Sequence, residues 1–185
     1  MRTKALRFSA GEIAAVSLFA AAIAAMTQII IPAPVPFSMG IFAVMLCAVV
    51  LPLKLSLAAV LVFLLTGATG LPVFAGFSGG PAQLAGPTGG YLIGYLGLVA
   101  TAALLERRKG GAPRAAASLI AGMLVCYALG TCWLAAGLGY SFRAAFMTGA
   151  LPFILPDTAK AIAAAAAGLR LRAALRLHGN GGLRG

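Results

Sequence analysis

The sequence predicts an all-α integral membrane protein in which six transmembrane helices form a compact bundle. Hydrophobic residues make up 62% of the 185-residue chain and charged residues only 9%, with a mean hydropathy of +1.02. A soluble domain carries far more charge. The apolar residues gather into six stretches, each near the length that crosses a bilayer. Lysine and arginine flank these stretches in the pattern of a chain that crosses repeatedly.

The first predicted span covers residues 10–31 and follows the basic residues Arg2, Lys4 and Arg7. A basic start followed by an apolar stretch also occurs in secretory signal peptides. The length of this stretch and the spans that come after it favour a retained helix.

The second and third spans cover residues 37–51 and 53–69, and only Pro52 separates them. This arrangement predicts a tight hairpin. The chain is interpreted as a single membrane domain of residues 1–185. Its remaining parts are spans at residues 88–105, 115–138 and 157–177 and a basic tail at residues 178–185.

The distribution of basic residues predicts that both termini are cytoplasmic, since cytoplasmic loops carry the excess of lysine and arginine. With this orientation only Arg143 and Lys160 lie toward the outside. The cytoplasmic set is Arg2, Lys4, Arg7, Lys54, Arg107, Arg108, Lys109, Arg114, Arg170, Arg172, Arg176 and Arg184.

Three connections rich in glycine and proline then face outward. They are residues 32–37 (PAPVPF), 70–92 (GLPVFAG to GPTGGYL) and 151–160 (LPFILPDTAK). Irregular backbone near membrane depth is tolerated only inside protein or around a cavity. The sequence therefore predicts an outward-facing ligand pocket where the three connections meet.

Asp157 and Lys160 are the candidate polar pair of this pocket. Three residues apart on a helix, they share one face. Asp157 follows Pro156 and is expected in the first helical turn, where a carboxylate complements the helix dipole. Lys160 lies about one turn deeper, where an ammonium must face protein or water. Two interpretations remain open: a ligand-binding pair, or a carboxylate that neutralises a snorkelling lysine.

The other candidate ligand residues lie in or beside the same connections. Gln83 both donates and accepts hydrogen bonds, while Thr88 and Tyr91 add hydroxyls. Glycines allow close backbone approach, and aromatic rings, including that of Phe153, suit an apolar wall. Loop packing is the alternative for each. The set is Phe37, Phe74, Gln83, Gly86, Thr88, Gly89, Gly90 and Tyr91.

Small residues predict two close helix contacts. Ala20 and Ala24, or Ala21 and Ala25, stand four apart in the first span, which suits contact with a helix of this chain or of another subunit. In the fourth span, Gly90, Gly94 and Gly97 predict close packing within the bundle.

The inventory of reactive groups argues against an enzyme. Glu12, Glu106 and Asp157 are the three carboxylates, and no two are close in sequence, which leaves little for acid–base chemistry. No metal-binding spacing and no phosphate-binding glycine loop occurs. The remaining candidates are interpreted as structural: Cys47, Cys126, Cys132 and His178.

Several ordered motifs together resemble the BioY family, the biotin-specific substrate-binding components of energy-coupling factor transporters. The similarity extends over nearly the whole chain, and residues 86–92 are its most specific element. The motifs are residues 34–37 (PVPF), 70–76 (GLPVFAG), 86–92 (GPTGGYL), Pro152-Phe153 and the Asp157 to Lys160 pair.

This resemblance implies a six-helix subunit in a prokaryotic plasma membrane that captures biotin from outside and needs no cofactor. A transmembrane coupling subunit and two cytoplasmic ATPases are the implied partners, so ATP hydrolysis would take place in those subunits. In this family the capture subunit is thought to topple in the membrane, and the alanine face of the first span is the implied docking surface.

The resemblance also assigns Asp157 and Lys160 to the biotin head group. Asp157 is expected to accept the ureido N–H groups, Lys160 to donate to the ureido carbonyl, and the valerate tail to lie near the glycine-rich loop. The opposite pose, with Lys160 on the valerate carboxylate, stays open. Many relatives carry glycine where this chain has Pro156, which puts the local geometry in question.

Three other functions are compatible with parts of this pattern. A secondary transporter would need a coupling ion, for which Asp157 is the obvious site. A capture subunit for another vitamin would share the same architecture. An intramembrane enzyme finds little support in the residues available.

Overall fold

The computed structural model describes residues 8–31, 37–106 and 111–178. Within these ranges the chain forms eight helices and one two-stranded antiparallel sheet. The elements in order are α1 (Ala10–Thr27), β1 (Ile30–Ile31), β2 (Phe37–Ser38), α2 (Gly40–Val50), α3 (Leu53–Ala68), α4 (Pro81–Ala85), α5 (Gly89–Leu105), α6 (Ala112–Leu138), α7 (Phe142–Gly149) and α8 (Leu151–His178).

Some of the predicted features lie outside the described residues. They are residues 32–36 of the first connection, the basic residues Arg2, Lys4, Arg7, Arg107, Arg108 and Lys109, and residues 179–185 of the tail with Arg184.

The helices form a bundle in which α5 packs most extensively against α6, α2 against α8, and α1 against α3. Within a membrane such contacts depend on close packing rather than on hydrophobic exclusion. Glycines of α5 supply it: an added Cβ at Gly94 would come within 2.8 Å of the Cys126 sulfur, and one at Gly90 would overlap Trp133. The predicted packing role of these glycines is confirmed.

The helix lengths bear on the number of membrane crossings. Among the described residues, two helices are by themselves long and apolar enough to cross, at Ala10–Thr27 and Ala112–Gly137. A third is obtained if α7 and α8, bent by 43° relative to each other, act as one span. The other apolar helices, α2, α3 and α5, have 11, 16 and 17 residues.

The first predicted helix is four residues too long. Helix α1 begins with a capping box, in which Ser9 and Glu12 bond each other's backbone N–H groups, and it ends at Thr27. Ile30 and Ile31 then pair with Ser38 and Phe37 as a short antiparallel ladder. Consecutive β-branched residues before a proline favour extended backbone, so residues 30–31 and 37–38 leave the predicted spans.

The start of the last helix is also corrected. Helix α8 begins at Leu151, six residues before the predicted position, and Pro156 lies inside it. A proline lacks the backbone N–H, yet the helix continues through it. Asp157 is consequently the seventh residue of the helix and not part of its first turn. Its charge is therefore balanced by side chains and not by the helix dipole.

The connections contain two helices that the sequence did not predict. The short helix α4 follows the glycine-rich turn, with Pro81 at its start. Helix α7 precedes α8, and the Ser141 side chain caps it by accepting from the N–H of Ala144 at 3.3 Å.

The four alanines of α1 do not share one surface. Ala20 is 7% exposed and belongs to the hydrophobic core, and Ala24 is partly buried against it. Ala21 and Ala25 are exposed. Of the two kinds of partner left open for these alanines, Ala20 packs within this chain, and docking of the α1 face to another subunit stays a prediction.

Candidate functional site

The described parts of all three glycine- and proline-rich connections line one cavity of about 590 Å³, which confirms their predicted convergence. Strand β2, the segment between α3 and α5, helices α5 and α6, and the α7–α8 region each contribute to it. The lining residues are Thr27, Ile30, Phe37, Ser38, Ile41, Phe74, Ala75, Ser78, Gln83, Pro87, Thr88, Tyr91, Leu92, Tyr95, Cys126, Tyr127, Leu134, Thr148, Gly149, Phe153, Asp157 and Lys160.

A charged pair and a tyrosine form a polar cluster at one end of this cavity. Asp157 and Lys160 are 4% and 8% exposed, and Lys160 Nζ is 2.7 Å from Asp157 Oδ1. The Tyr127 hydroxyl donates to Asp157 Oδ2 at 2.5 Å. A buried carboxylate or ammonium is costly unless it is paired and hydrogen-bonded, and each charge here stabilises the other.

The ammonium of Lys160 is held in position by three contacts from two parts of the chain. Besides Asp157, it donates to the backbone carbonyl of Ser38 in β2 at 2.8 Å, and it lies 4.5 Å from the ring centroid of Phe37. A lysine carries three N–H donors, and the described residues accept from two of them. One donor is left for a ligand.

Tyr127 was missed by the sequence reasoning. It lies in α6, which is apolar along most of its length, and its partner Asp157 is 30 residues further on in another helix. No local spacing connects the two. The presence of a tyrosine within an apolar helix could have identified it from the sequence, since a buried phenolic hydroxyl usually has a hydrogen-bond partner.

Aromatic rings form the apolar part of the wall, as predicted for Phe37, Phe74 and Phe153. Phe74 is 2% exposed, and its ring meets that of Phe63 edge-on at a centroid distance of 5.4 Å. Tyr95 also lines the cavity, although the sequence reasoning did not select it.

Gln83, Thr88 and Tyr91 line the cavity as well. The Tyr91 hydroxyl is buried, and it has no hydrogen-bond partner among the described residues; nor has that of Thr131 in α6. Buried polar atoms without partners are rare in folded proteins. The Tyr91 ring packs over Gly130 of α6, and its hydroxyl lies against Gly149 of α7.

The glycines of the α4–α5 turn are absent from the cavity wall. Gly86 accepts a hydrogen bond at 3.0 Å from the indole Nε1 of Trp133. Added Cβ atoms at Gly89 and Gly90 would overlap Leu84 and Trp133. These three glycines allow the close turn that brings Pro87 and Thr88 to the cavity, and their direct contact with a ligand stays a prediction.

Cys126 lines the cavity, and its thiol lies 3.4 Å from the carbonyl oxygen of Tyr91, in position to donate a weak hydrogen bond. This contact joins α6 to the start of α5. It is consistent with the structural role expected for this cysteine.

Comparisons with known proteins agree with this architecture. The model of the BioY family matches residues 1–177. The chain is 42% identical to the probable biotin transporter BioY of Pyrococcus horikoshii over 164 residues, which cover 88% of this chain and 97% of that protein. It is 41% identical to the biotin transporter BioY of Thermotoga maritima over 156 residues, or 84% and 92% of the two chains.

A solved structure has the same fold. The crystal structure of the S-component for biotin from an ECF-type ABC transporter superposes with a TM-score of 0.81, covering 90% of this chain and 95% of that one. The two sequences are 23% identical, so this comparison supports the fold of the bundle.

Proposed function

The chain belongs to the BioY family, and on that premise we propose that it is the substrate-binding subunit that captures biotin for an energy-coupling factor transporter. It is a membrane transport component and not an enzyme. The site we propose is the cavity between β2, the α3–α5 segment, α6 and α8, with Asp157 and Lys160 at its polar end.

The observation that carries the proposal is that Asp157 and Lys160 form a neutral ion pair that uses only part of its hydrogen-bonding capacity. Asp157 and Lys160 cancel each other's charge, so this end of the cavity favours a neutral polar group over a further ion. Each carboxylate oxygen of Asp157 retains a lone pair beyond its present contact, and Lys160 retains one donor. A cyclic urea matches this pattern, because it offers two N–H donors and one carbonyl acceptor.

The rest of the cavity suits the remainder of biotin. Its volume of about 590 Å³ falls within the roughly 300–1,000 Å³ typical of small-molecule sites. The rings of Phe37, Phe74 and Phe153 provide apolar surface for the bicyclic ring. The hydroxyl of Thr88 and the amide of Gln83 lie on the α4–α5 side and can receive the carboxylate tail.

We propose six membrane crossings, with α7 and α8 counted as one bent span, both termini in the cytoplasm and the cavity open to the outside of a prokaryotic cell. The excess of arginine and lysine on the proposed cytoplasmic side supports this orientation. In a cysteine-free variant, a thiol introduced at Arg143 should react with an impermeant reagent added to whole cells, and one at Arg114 should not. The reverse labelling would invert the topology.

The proposed partners are a transmembrane coupling subunit and two cytoplasmic ATPases. The exposed alanines Ala21 and Ala25 of α1 are the proposed contact with the coupling subunit, because small residues let helices approach closely. Substituting both by leucine should weaken copurification of the coupling subunit while biotin binding persists. Unchanged copurification would exclude this face of α1.

The direct test of the function is equilibrium binding of biotin to the purified chain in nanodiscs, with thiamine and riboflavin as competitors. Tight, biotin-selective binding is expected. Asp157→Asn and Lys160→Met should each weaken it by about 10- to 100-fold, since hydrogen bonds to charged groups contribute about 1.5–3 kcal/mol. A folded, monodisperse preparation that ignores biotin would overturn the proposal.

A further inference from the structure

A side chain at the end of α1 holds part of the cavity wall. Gln28 is the C-cap residue of α1 and is half-buried. Its Nε2 donates to the carbonyl oxygens of Val73 and Phe74 at 3.0 and 3.1 Å, with a longer contact of 3.3 Å to that of Ala24. Its Oε1 accepts from the backbone N–H of Phe77 at 2.9 Å. Both ends of the amide are therefore used on one turn of chain.

That turn has a backbone conformation that needs support. Phe77 has φ of 55°, the one positive value at a residue other than glycine among the described residues. Such a conformation persists only where the surroundings impose it. The Phe77 ring is 72% exposed and contributes little packing. The turn is held by the bond to Gln28, by the backbone pairing of Phe74 with Ser78 at 2.9 and 3.2 Å, and by the bond from the Ser78 hydroxyl to the carbonyl of Ala75 at 2.9 Å.

The held turn is part of the ligand cavity, whereas Gln28 is not. Phe74, Ala75 and Ser78 line the cavity, and Gln28 is absent from the lining. The Phe74 ring fills a space left by the missing side chain of Gly67 and meets Phe63 edge-on. Two hydrogen bonds from Gln28 to the carbonyls of Val73 and Phe74 set where that ring lies.

We infer that Gln28 is a positioning residue of the ligand site. Its side-chain amide fixes the backbone of residues 73–77, which form part of the cavity wall. The inference rests on the proposed function, in which this cavity holds biotin. A wall that is fixed before binding costs less conformational entropy when the ligand enters. Loss of these hydrogen bonds should then appear mainly as a faster dissociation of the ligand, because most affinity changes among variants of one complex are changes in the dissociation rate.

Two variants and a control test this positioning role of Gln28 in the full chain in nanodiscs. Gln28→Met keeps a side chain of similar length but removes donor and acceptor. Gln28→Glu keeps an acceptor for the N–H of Phe77 but places a carboxylate against the carbonyls of Val73 and Phe74. The control is Thr69→Val, because the Thr69 hydroxyl bonds only its own helix end, at Thr66, at 2.7 Å.

Tritiated biotin should dissociate about tenfold faster from Gln28→Met, in line with the loss of one or more hydrogen bonds, and faster still from Gln28→Glu. Thr69→Val should behave as the unmodified chain. Hydrogen exchange of the ligand-free variants should accelerate at residues 73–78 while the helices keep their protection. The local exchange is the readout that general destabilisation would not produce.

Unchanged dissociation from both variants would overturn the inference, and so would exchange that accelerates throughout the helices. Failure of the proposed function would look different: the unmodified chain would not bind biotin at all. The exchange pattern of the ligand-free variants would then still decide whether Gln28 fixes this segment.

Discussion

The Tyr127 hydroxyl is the contact that completes the polar end of the cavity. It donates to the Asp157 oxygen that Lys160 leaves free. Removing it with Tyr127→Phe leaves a buried carboxylate oxygen without its donor, which costs about 1–3 kcal/mol. We expect biotin affinity to fall about tenfold while the protein stays folded, as measured by equilibrium binding.

A matched control for this change is Tyr140→Phe, since Tyr140 is 50% exposed and lies outside the cavity lining. It should bind biotin as the unmodified chain does. Equal affinities for the two variants would remove Tyr127 from the site.

For single residues, the sequence was sufficient to identify charged side chains that are rare in apolar stretches. It was insufficient where the hydrogen-bond partner of a residue lies far along the chain. A charged pair in an apolar stretch is conspicuous, so Asp157 and Lys160 were found, and both line the cavity. Tyr127 and Gln28 were missed because their partners lie 30 to 49 residues away and are brought close only by the fold.

Among the elements, the close contact between α5 and α6 depends on glycines. An added Cβ at Gly130 in α6 would overlap the ring of Tyr91, which lines the cavity. We expect Gly130→Ala to destabilise the protein by about 1–3 kcal/mol, as overpacking does, and to weaken biotin binding. Thermal unfolding and binding in detergent measure both effects.

The same helix provides the comparison. Gly137 is exposed, and nothing lies within 4 Å of a Cβ added there. Gly137→Ala should leave binding unchanged and not lower stability, because alanine is the better helix former. If both alanine variants behave alike, overlap at the α5–α6 contact is not the cause.

Helix boundaries show where local pattern fails as a guide. The apolar stretch at residues 10–31 is continuous in hydropathy, but its last isoleucines pair with β2 and leave α1. Pro156 predicts a helix start, yet α8 runs from Leu151 through it. At residues 30–31 the backbone follows the β-branched sequence before the proline and not the hydropathy, whereas at Pro156 the helix overrides the local preference. The starts of α3 and α5 agree with prediction to within one residue.

At the scale of the whole molecule, a second ion pair lies at the end of the bundle opposite the cavity. Arg172 in α8 is 3.1 Å from Glu106 at the end of α5, and the Glu106 side chain is 4% exposed. Arg172 lies fifteen residues after the cavity residue Asp157, and Glu106 lies fifteen residues after the cavity residue Tyr91. Fifteen residues correspond to about 22 Å of helix. The pair joins two helices that both reach the cavity.

Burial raises the pKa of the Glu106 carboxyl, and the charge of Arg172 opposes this rise. Arg172→Met should therefore destabilise the protein, by about 2 kcal/mol, because it leaves a buried charge unpaired. A raised folded-state pKa favours the folded state at low pH and disfavours it as pH rises. The loss of stability should be larger at pH 8 than at pH 5.

Thermal unfolding of Arg172→Met and of the double variant Glu106→Gln/Arg172→Met tests this account. The double variant should recover most of the lost stability and lose the pH dependence. Biotin affinity should hardly change in either, since distant sites act independently. A double variant less stable than Arg172→Met would contradict the explanation.

The hydrogen bond from Trp133 to the turn beside the cavity has a practical consequence. Trp133 is the sole tryptophan of the chain, and its indole N–H bonds the carbonyl of Gly86, next to the cavity residues Pro87 and Thr88. Indole fluorescence responds to the polarity around the ring. We therefore expect the near-ultraviolet-excited emission of Trp133 to change when the cavity is filled, which would allow ligand arrival to be timed in the unlabelled chain.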